Sequence, residues 1–393
     1  MTTQPTTADR MKALFDFDAH LSTDERAWRD KARAVAAEAI APFIEADFDD
    51  KHFRRETFAA LAEAGFLGMH ISGYGCAGAG AVAYGLVCME LEAVDAGWRT
   101  AVSVQGSLAM SAIAKYGSEE QKTTLLPRMA AGELIGCFGL TEPDGGSDPA
   151  AMTTFARRDG SDWVLQGTKR WIGLAGLADV AVIWANTDEG VRGFVVPTGT
   201  PGFSTTEIDG KLAFRSSRQY EVSLDAVRLP AEALLPGAKG LSGPFGCLNE
   251  ARYGISWGVM GAARTAIEVA GDYAVAREVF GAPIASRQLI QKRLADMFVE
   301  YEKGTLLALH IGRLKDAKSL PYDQISVGKL NNVRSAQVIA ASARNILGGE
   351  GITDRFPIMR MMANLEAVST YEGTEEMHTL IIGRALTGLA AFA

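Results

Sequence analysis

Residues and motifs that characterise several protein classes are few or absent in this chain. Its 393 residues include four cysteines and five histidines, with no C-x-x-C pair, no H-E-x-x-H run and no other spacing of zinc ligands. No serine stands in a G-x-S-x-G elbow, so a serine hydrolase loses support. Lysine and arginine total 39 against 47 acidic residues, a net charge of −8. That balance argues against nucleic acid and against an anionic membrane as partners, and we expect no metal site.

Long apolar runs are missing as well. No stretch approaches the roughly 18 apolar residues that a membrane span needs. The N-terminal segment has no basic region followed by an apolar one, as a signal peptide would. The scattered cysteines are most simply free thiols in a reducing compartment. We therefore expect a cytoplasmic enzyme.

Three regions with different sequence patterns follow one another along the chain. Residues 1–135 are helical in pattern, with a capping start at Ser22-Thr23-Asp24-Glu25 and a helix ending near Pro127. Residues 136–240 consist of short runs such as Val180 to Trp184, bounded by Gly, Pro, Asp or Asn, which predict a compact antiparallel β unit. Residues 241–393 return to helical spacing. Helices are predicted there at Ala262–Arg277, Gln288–Arg313, Gln324–Leu347 and Glu375–Leu386.

One run of strands between two runs of helices predicts an α+β fold that is mostly α, divided into three domains at these bounds. Such an order argues against an alternating βαβ sheet. The Gly78-Ala79-Gly80 segment does not restore a dinucleotide-binding motif, because Ala83 stands where the third glycine belongs. We interpret this segment as a flexible loop.

Three segments could contact a ligand. Phe138 to Asp148 combines glycines, which permit close backbone approach, with hydroxyls at Thr141 and Ser147; a tight turn explains these residues about equally well. Arg277 to Gly281 puts a cation beside an aromatic ring, and Leu347 to Ile352 is a glycine-rich helix end that can present backbone N–H groups. Each segment alone is a weak signal.

Together and in this order, the segments resemble the acyl-CoA dehydrogenase family. The resemblance runs from about Asp24 to Phe392, and its most specific pieces are GLTEPDGGSDP, REVFG, LGGEGI and YEGTEEMH. It implies an N-terminal helical domain, a middle antiparallel β domain, a C-terminal four-helix bundle and assembly as a homotetramer. It also implies FAD as cofactor, an acyl-CoA substrate, and electron-transferring flavoprotein as the acceptor of electrons.

The resemblance assigns cofactor contacts residue by residue. In the middle domain it assigns Phe138, Leu140, Thr141, Gly146, Ser147, Trp171, Ile172 and Gly173 to the flavin. Thr374 and Glu376 would face the same cofactor. Residues serving the FAD of a neighbouring subunit would be Arg277, Phe280, Gln288, Gly348 and Gly349, and Asn345 and Phe392 are further cofactor-binding residues.

For catalysis the resemblance assigns Glu372, in Tyr371-Glu372-Gly373-Thr374, as the base that removes the α-proton of the thioester. By itself a glutamate at a helix start is ordinary, since the helix dipole favours it. The α-proton is weakly acidic, so the base must be paired with donors for the developing enolate oxygen. In the family these donors are the backbone N–H of the base and a flavin ribityl hydroxyl.

Substrate class depends on the stretch from Glu90 to Gln105, which resembles the glutaryl-CoA subgroup. An arginine at the position of Arg99 there holds the distal carboxylate, for which the guanidinium fork is suited. Glu92 would orient Arg99, and Thr100 would add a hydroxyl. The alternative is a surface ion pair of Glu92 and Arg99, worth about 0–1 kcal/mol. Further expected substrate contacts are Ser147, Phe245, Leu248, Asn249, Arg252, Tyr371 and Gly373.

Two positions depart from the family, and other functions stay open. Gly173 removes the hydroxyl that usually meets flavin N5, and Gln219 replaces a threonine. Glu92 and Tyr371 resemble the decarboxylating type, which forms crotonyl-CoA and CO2 during lysine, tryptophan or aromatic acid degradation. The alternatives are a non-decarboxylating enzyme, a short-chain acyl-CoA dehydrogenase or oxidase, and a catalytically silent acyl-CoA-binding relative.

Overall fold

The computed structural model describes residues 4–391, which form two compact units. The helical unit contains the described residues up to Glu45, the segment Ala81–Arg99 and the chain from Tyr253 onward. The sheet unit contains Ala46–Gly80 and Thr100–Arg252. Phe392, one of the expected FAD contacts, lies outside the described residues.

The helices and strands occur in the expected order. The α-helices are α1 (Thr7–Leu14), α2 (Thr23–Ala39), α3 (Ile44–Asp49), α4 (Arg55–Glu63), α5 (Ala81–Glu92), α6 (Ala96–Val102), α7 (Ser111–Tyr116), α8 (Glu119–Ala130), α9 (Ser242–Ala276), α10 (Gln288–Asp316), α11 (Tyr322–Leu347), α12 (Ile358–Thr370) and α13 (Glu375–Thr387). The strands are β1 (Ser72–Gly73), β2 (Cys76–Ala77), β3 (Gly136–Gly139), β4 (Phe155–Asp159), β5 (Asp162–Gly173), β6 (Val180–Thr187), β7 (Gly190–Pro197), β8 (Phe203–Glu207), β9 (Gln219–Leu229), β10 (Glu278–Val279) and β11 (Ala282–Pro283). No helix among residues 4–391 is both long and apolar enough to cross a membrane.

Local sequence explains where several helices begin. Ser22 caps α2 with a reciprocal pair of hydrogen bonds: its Oγ accepts from Glu25 N at 3.2 Å, and Glu25 Oε2 accepts from Ser22 N at 2.8 Å. The predicted start is therefore confirmed. The predictions for α10, α11 and α13 are confirmed to within a few residues at each end.

α8 ends at Ala130, close to its predicted end near Pro127. Two other helices differ from the sequence prediction. α12 was not predicted, although its buried Ile358, Met361 and Leu365 have helical spacing. α9 begins at Ser242 rather than at Ala262. Its early part is rich in glycine, whose low helix propensity hides a helix that tertiary packing stabilises.

Glycines of α9 allow α5 to approach closely within the helical unit. A Cβ at Gly261 would lie 1.8 Å from Met89 O, and one at Gly258 would lie 2.2 Å from Glu92 Oε2. Neither position can carry a side chain without moving a backbone or a buried carboxylate. The close approach puts the last residue of α5 directly against α9.

The sheet of the sheet unit has the order β3-β6-β4-β5-β9-β8, and β7 also pairs with β6. β5 pairs antiparallel with β4 and β9, as predicted, and so do β6 with β7 and β8 with β9. However, β3 and β4 pair with β6 in parallel, so the sheet is mixed and the prediction of an antiparallel unit is wrong for these pairs. The alternation of short strands and turns does not report strand direction; the long connection from β3 to β6 permits parallel pairing.

The approach of α9 to α5 gives a first test. Gly261→Ala should lower the free energy of unfolding by about 1–3 kcal/mol or more, because the new methyl overlaps Met89 O. Gly383→Ala in α13 is the control, since its Cβ would meet nothing within 4 Å and should stabilise the helix by about 0.5–1 kcal/mol. Denaturant unfolding measures both. Equal effects of the two substitutions would contradict the close approach.

Candidate active site

Arg99, Glu92 and Tyr371 form a buried cluster in the helical unit, here called the arginine cluster. Arg99 Nε donates to Glu92 Oε2 at 2.6 Å, and Arg99 Nη2 donates to Tyr371 Oη at 2.5 Å. The side chains of Arg99 and Glu92 are both 0% exposed. The alternative of a surface ion pair is therefore wrong.

The guanidinium of Arg99 keeps its charge and has hydrogen-bonding capacity left. Burial lowers the pKa of Arg99, but Glu92 and Tyr371 outweigh this effect and hold it well above its usual range. Among the described residues, neither Arg99 Nη1 nor Glu92 Oε1 has a hydrogen-bond partner. A buried N–H of a cation without an acceptor costs more than a neutral one, so the cluster is suited to receive an anionic group.

Glu372 lies in a strained turn between α12 and α13. Its φ is +55° and that of Gly373 is +93°, and a non-glycine residue seldom adopts such a conformation. Thr374 follows as the cap of α13, with its Oγ1 accepting from Met377 N at 3.4 Å. The turn therefore fixes Glu372 by backbone geometry on both sides.

The pKa of Cys88 is affected by Glu372 and by residues of the arginine cluster. Burial raises the pKa of Cys88 to about 12, Arg99 opposes the rise, and Glu92 and Glu372 add to it. Cys88 is buried on α5 and its thiol stays protonated. Glu372 thus lies within electrostatic range of the same buried site as the guanidinium.

Lys329 is a component of the site that was not predicted. It lies on α11, is 1% exposed, and donates to Tyr371 O at 2.5 Å and to Gly373 O at 2.6 Å. The sequence carried a signal, because Lys329 occupies the helix face of the buried Ile325 and Ala336. A lysine on such a face requires acceptors, which here are the carbonyls beside Glu372.

The remaining expected cofactor contacts of the helical unit lie on its surface. Arg277, Phe280 and Gln288 lie on or beside the β10–β11 hairpin, and Phe280 is 95% exposed with a φ of +54°. Asn345, Gly348 and Gly349 lie at the end of α11, and Glu376 in the first turn of α13 is exposed. The expectation that the hairpin and the end of α11 serve a neighbouring subunit remains a prediction.

In the sheet unit, the segments expected at the flavin come together. Leu140 and Thr141 follow β3, and Trp171 to Gly173 end β5. Thr141 O accepts from Arg170 N at 2.8 Å, and Leu140 O accepts from Lys169 Nζ at 3.1 Å. Phe138, Leu140 and Ile172 are buried, whereas Trp171 is 53% exposed. Trp171 thus follows directly on the residue whose backbone pairs with Thr141.

A buried ion pair between Glu142 and Lys169 stabilises this segment. Glu142 accepts from Lys169 Nζ at 2.8 Å, from Thr153 N at 2.7 Å and from Thr154 N at 2.9 Å. Burial raises the pKa of Glu142, but these donors outweigh it and lower the pKa to about 2. Burial lowers the pKa of Lys169 to about 8, because Glu142 offsets only part of the effect. Neither residue was predicted as part of the site.

Most of the other expected substrate contacts lie in the sheet unit. Phe245, Leu248, Asn249 and Arg252 share one face at the start of α9, where Arg252 Nη1 donates to Asn249 Oδ1 at 3.4 Å. Gly146 and Ser147 are exposed in the loop after Glu142, and Thr100 is buried. No group of three potential metal ligands occurs within residues 4–391.

The two departures from the family have local explanations. A Cβ at Gly173 would lie 3.3 Å from Val104 Cγ2, so Val104 occupies the space beside this position. Gln219 Oε1 accepts from Lys211 Nζ, which also donates to Phe214 O and Ser217 O at 3.0 Å. Gln219 thereby helps to hold the loop from Lys211 to Ser217.

Comparison with known proteins matches the chain over almost its whole length. The family models of the acyl-CoA dehydrogenase N-terminal, middle and C-terminal domains match residues 22–133, 137–227 and 238–387. A crystal structure of glutaryl-CoA dehydrogenase from Mycobacterium smegmatis is 57% identical with a TM-score of 0.96, covering 98% of this chain and 99% of that chain. A structure of a glutaryl-CoA dehydrogenase from the same organism in complex with FADH2 is 56% identical, with the same TM-score and coverage. Human mitochondrial short-chain specific acyl-CoA dehydrogenase is 35% identical over 89% of this chain and 87% of its own length.

The ion pair of Glu142 and Lys169 predicts that the free energy of unfolding depends on pH. The pKa of Glu142 lies below its ordinary value of 4.5, so ionised Glu142 stabilises the fold above that pH, and this contribution disappears as the pH falls toward about 2. Over that range, wild type should lose up to about 3 kcal/mol more unfolding free energy than Glu142→Gln. Asp144→Asn, an exposed carboxylate of the same loop, controls for net charge. Parallel pH curves for wild type and Glu142→Gln would refute the assignment.

Proposed function

The chain belongs to the acyl-CoA dehydrogenase family, and we propose that it oxidises glutaryl-CoA and decarboxylates the product to crotonyl-CoA and CO2. An FAD-dependent acyl-CoA dehydrogenase needs a base for the α-proton, a hydride acceptor and a pocket that selects the acyl chain. Glu372, FAD and the arginine cluster fill these roles in the proposal. The two glutaryl-CoA dehydrogenase structures above 50% identity support the substrate class.

The observation that carries the substrate class is the buried Nη1 of Arg99. It is the part of the guanidinium left without an acceptor among the described residues, while Nε and Nη2 are bound to Glu92 and Tyr371. An uncharged acyl end would leave this donor unsatisfied, whereas a carboxylate would accept from it. The pocket therefore favours an acyl chain that ends in an anion.

Gly258 provides the room for this arrangement. A Cβ at that position of α9 would lie 2.2 Å from Glu92 Oε2 and 3.0 Å from Arg99 Nε. Any larger residue would displace the pair. Within the proposal, Gly258 thus belongs to the specificity of the site although it offers no functional group.

The residues of the sheet unit fit a flavin. About half of Trp171 is exposed, its neighbour Arg170 pairs with the Thr141 backbone, and a Cβ at Gly146 would meet nothing within 4 Å. An exposed aromatic side chain next to backbone polar groups and an open glycine loop suits a planar heterocycle. When bound, FAD supplies the acceptor of the β-hydride. Phe138 to Ser147 and Trp171 to Gly173 would hold it in this unit.

Proton transfer is the task of Glu372. Its carboxylate takes the α-proton of the thioester and becomes a carboxylic acid, while the backbone N–H of Glu372 donates to the thioester oxygen on which negative charge develops. The strained turn and the bonds of Lys329 fix both groups relative to each other. Proximity of this kind removes an entropy cost from the reaction.

Decarboxylation requires that the distal carboxylate be held without excessive stabilisation. After oxidation, the C–C bond to the carboxylate breaks, CO2 leaves and the electron pair delocalises into the thioester as a dienolate. Glu92 shares the charge of Arg99, which weakens the hold on the carboxylate that must depart as neutral CO2. The proton on Glu372 is available to the dienolate, which then becomes crotonyl-CoA.

The proposal includes three properties taken from the family resemblance. They are the division at residues 1–135, 136–240 and 241–393, assembly as a homotetramer, and electron-transferring flavoprotein as acceptor. The matched domain ranges support the division. Exposed apolar residues on α10 and α11, including Leu289, Val299 and Val338, support assembly.

A second candidate is a short-chain acyl-CoA oxidase, which Gly173 favours. Without a hydroxyl at this position, and with Val104 against it, the flavin edge would lack one hydrogen-bond donor. Oxygen would then compete as electron acceptor. Peroxide formation with butyryl-CoA in air, at a rate matching anaerobic flavin reduction, would favour this candidate.

Anaerobic titration tests the base and the substrate together. Glutaryl-CoA should bleach the long-wavelength flavin band of the holoenzyme and yield crotonyl-CoA and CO2. Glu372→Gln should retain FAD but reduce it roughly 10⁴-fold more slowly, the upper end of the contribution of a positioned base. A wild-type flavin that glutaryl-CoA does not bleach would contradict the proposed function. Glutaconyl-CoA as the final product would contradict only the decarboxylation step.

Arg99→Met tests the substrate class. The variant should lose roughly 10²–10³-fold in kcat/KM for glutaryl-CoA, equivalent to about 3–4 kcal/mol, and should keep or improve its value for butyryl-CoA. Arg264→Met is the matched control, because Arg264 is another arginine of the helical unit bound to a buried glutamate of α5, Glu90. It should lower stability and leave the ratio of the two substrates unchanged. An equal loss for both substrates in Arg99→Met would contradict the assignment.

A further inference from the structure

A single buried lysine binds the backbone on both sides of Glu372. Lys329 Nζ lies 2.5 Å from Tyr371 O and 2.6 Å from Gly373 O, and Lys329 is 1% exposed. Its ammonium also lies 5.7 Å from the centre of the Tyr371 ring. The carbonyls before and after Glu372 are thus held by one charged donor from α11.

We propose that Lys329 is a positioning residue for the reaction, acting through the peptide group that joins Tyr371 and Glu372. This inference rests on the proposed function, in which Glu372 is the base and its N–H holds the thioester oxygen. The carbonyl that Lys329 binds and this N–H belong to the same planar peptide unit. A donor on the carbonyl therefore fixes the direction in which the N–H points.

The same contact strengthens the N–H as a donor. Hydrogen bonds in a chain polarise one another, and an ammonium at a carbonyl in a buried site polarises the peptide more than a neutral donor does. Electron density drawn toward Tyr371 O leaves the N–H of Glu372 more positive. The enolate oxygen that forms during proton abstraction would receive a stronger bond than an unassisted amide provides.

The second contact holds the carboxylate. Glu372 has a φ of +55°, a conformation that its side chain disfavours, and the following Gly373 has a φ of +93°. Lys329 bound to Gly373 O prevents this turn from relaxing. Loss of the lysine would leave two half-buried carbonyls without this donor and allow the turn to reorient, which would displace Glu372 from the α-carbon of the substrate.

A lysine required only for folding would give the same contacts, and α11 offers a matched residue that separates the two roles. Asn332 lies one turn later, is 0% exposed, and donates to Ser256 O at 2.7 Å and to Gly304 O at 2.9 Å. Like Lys329 it donates to two backbone carbonyls, here buried ones, but neither of them flanks Glu372. Its removal should cost stability without altering the turn.

Proton removal can be measured without hydride transfer by using 3-thiaglutaryl-CoA, in which sulfur replaces the β-carbon. The holoenzyme in D2O should exchange the α-protons of this probe, as followed by mass spectrometry. Lys329→Met should lower the exchange rate by roughly 10²-fold, the loss expected from a misplacement of about 1 Å. Binding of the probe should persist, because Arg99 is unchanged.

Infrared spectroscopy of the probe with a 13C-labelled thioester carbonyl gives a second readout. In wild type and Asn332→Ala, the bound carbonyl band should be shifted to lower frequency than in water. In Lys329→Met, the band should return toward its value in water. Lys329→Gln, which retains N–H donors of shorter reach and lacks the charge, should give intermediate exchange and covers the case that Lys329→Met does not fold.

The outcomes separate this inference from the proposed function. Exchange that survives in Glu372→Gln removes the base assignment and the role of Lys329 with it. Exchange lost in Glu372→Gln but retained at the wild-type rate in a folded Lys329 variant overturns only the role of Lys329. Equal losses of exchange in Lys329→Met and Asn332→Ala assign Lys329 to folding alone and also overturn it.

Discussion

The arrangement of the helical unit depends on one buried cation. Arg99 has no exposed surface, so its charge must be compensated inside the protein, and Glu92 and Tyr371 do this with bonds of 2.6 and 2.5 Å. Glu92 can reach Arg99 because it ends α5, and the pair has room because Gly258 carries no side chain. The tyrosine that satisfies the arginine precedes Glu372. The same interaction thus links the cluster proposed to select the acyl chain to the turn that carries the proposed base.

In each of the two units, a buried lysine binds carbonyl groups of an irregular segment. A turn that presents functional groups departs from regular structure, and its carbonyls then need donors other than the helix or sheet ladder. In the helical unit Lys329 binds the carbonyls of Tyr371 and Gly373. In the sheet unit Lys169 binds Leu140 O and Glu142. Each lysine is buried on a regular element and transmits the rigidity of that element to an irregular segment.

Local signals in the sequence predicted much of the fold. The capping pair at Ser22 and Glu25 marked the start of α2, and turn residues marked the strands of the sheet. The prediction failed where local preference and tertiary packing disagree. The early part of α9 contains glycines that disfavour a helix in isolation, yet Gly258 and Gly261 are required for the close approach of α5. Strand direction was wrong for β3 because alternation along one strand carries no information about its neighbour.

The sequence by itself determined the order of helices and strands and the motifs whose resemblance to the acyl-CoA dehydrogenase family points to Glu372 and Arg99, because patterns and motifs depend on residue types at short range. Only the tertiary structure decided that Arg99 and Glu92 are buried rather than on the surface. It also decided that Lys329 binds the carbonyls on both sides of Glu372. Burial and pairing join residues far apart in the chain; Lys329 and Gly373 meet because α11 packs beside α13. A lysine in a helical pattern looks the same in sequence whether it faces water or two carbonyls, and the cost of burying its charge appears only once the chain is folded.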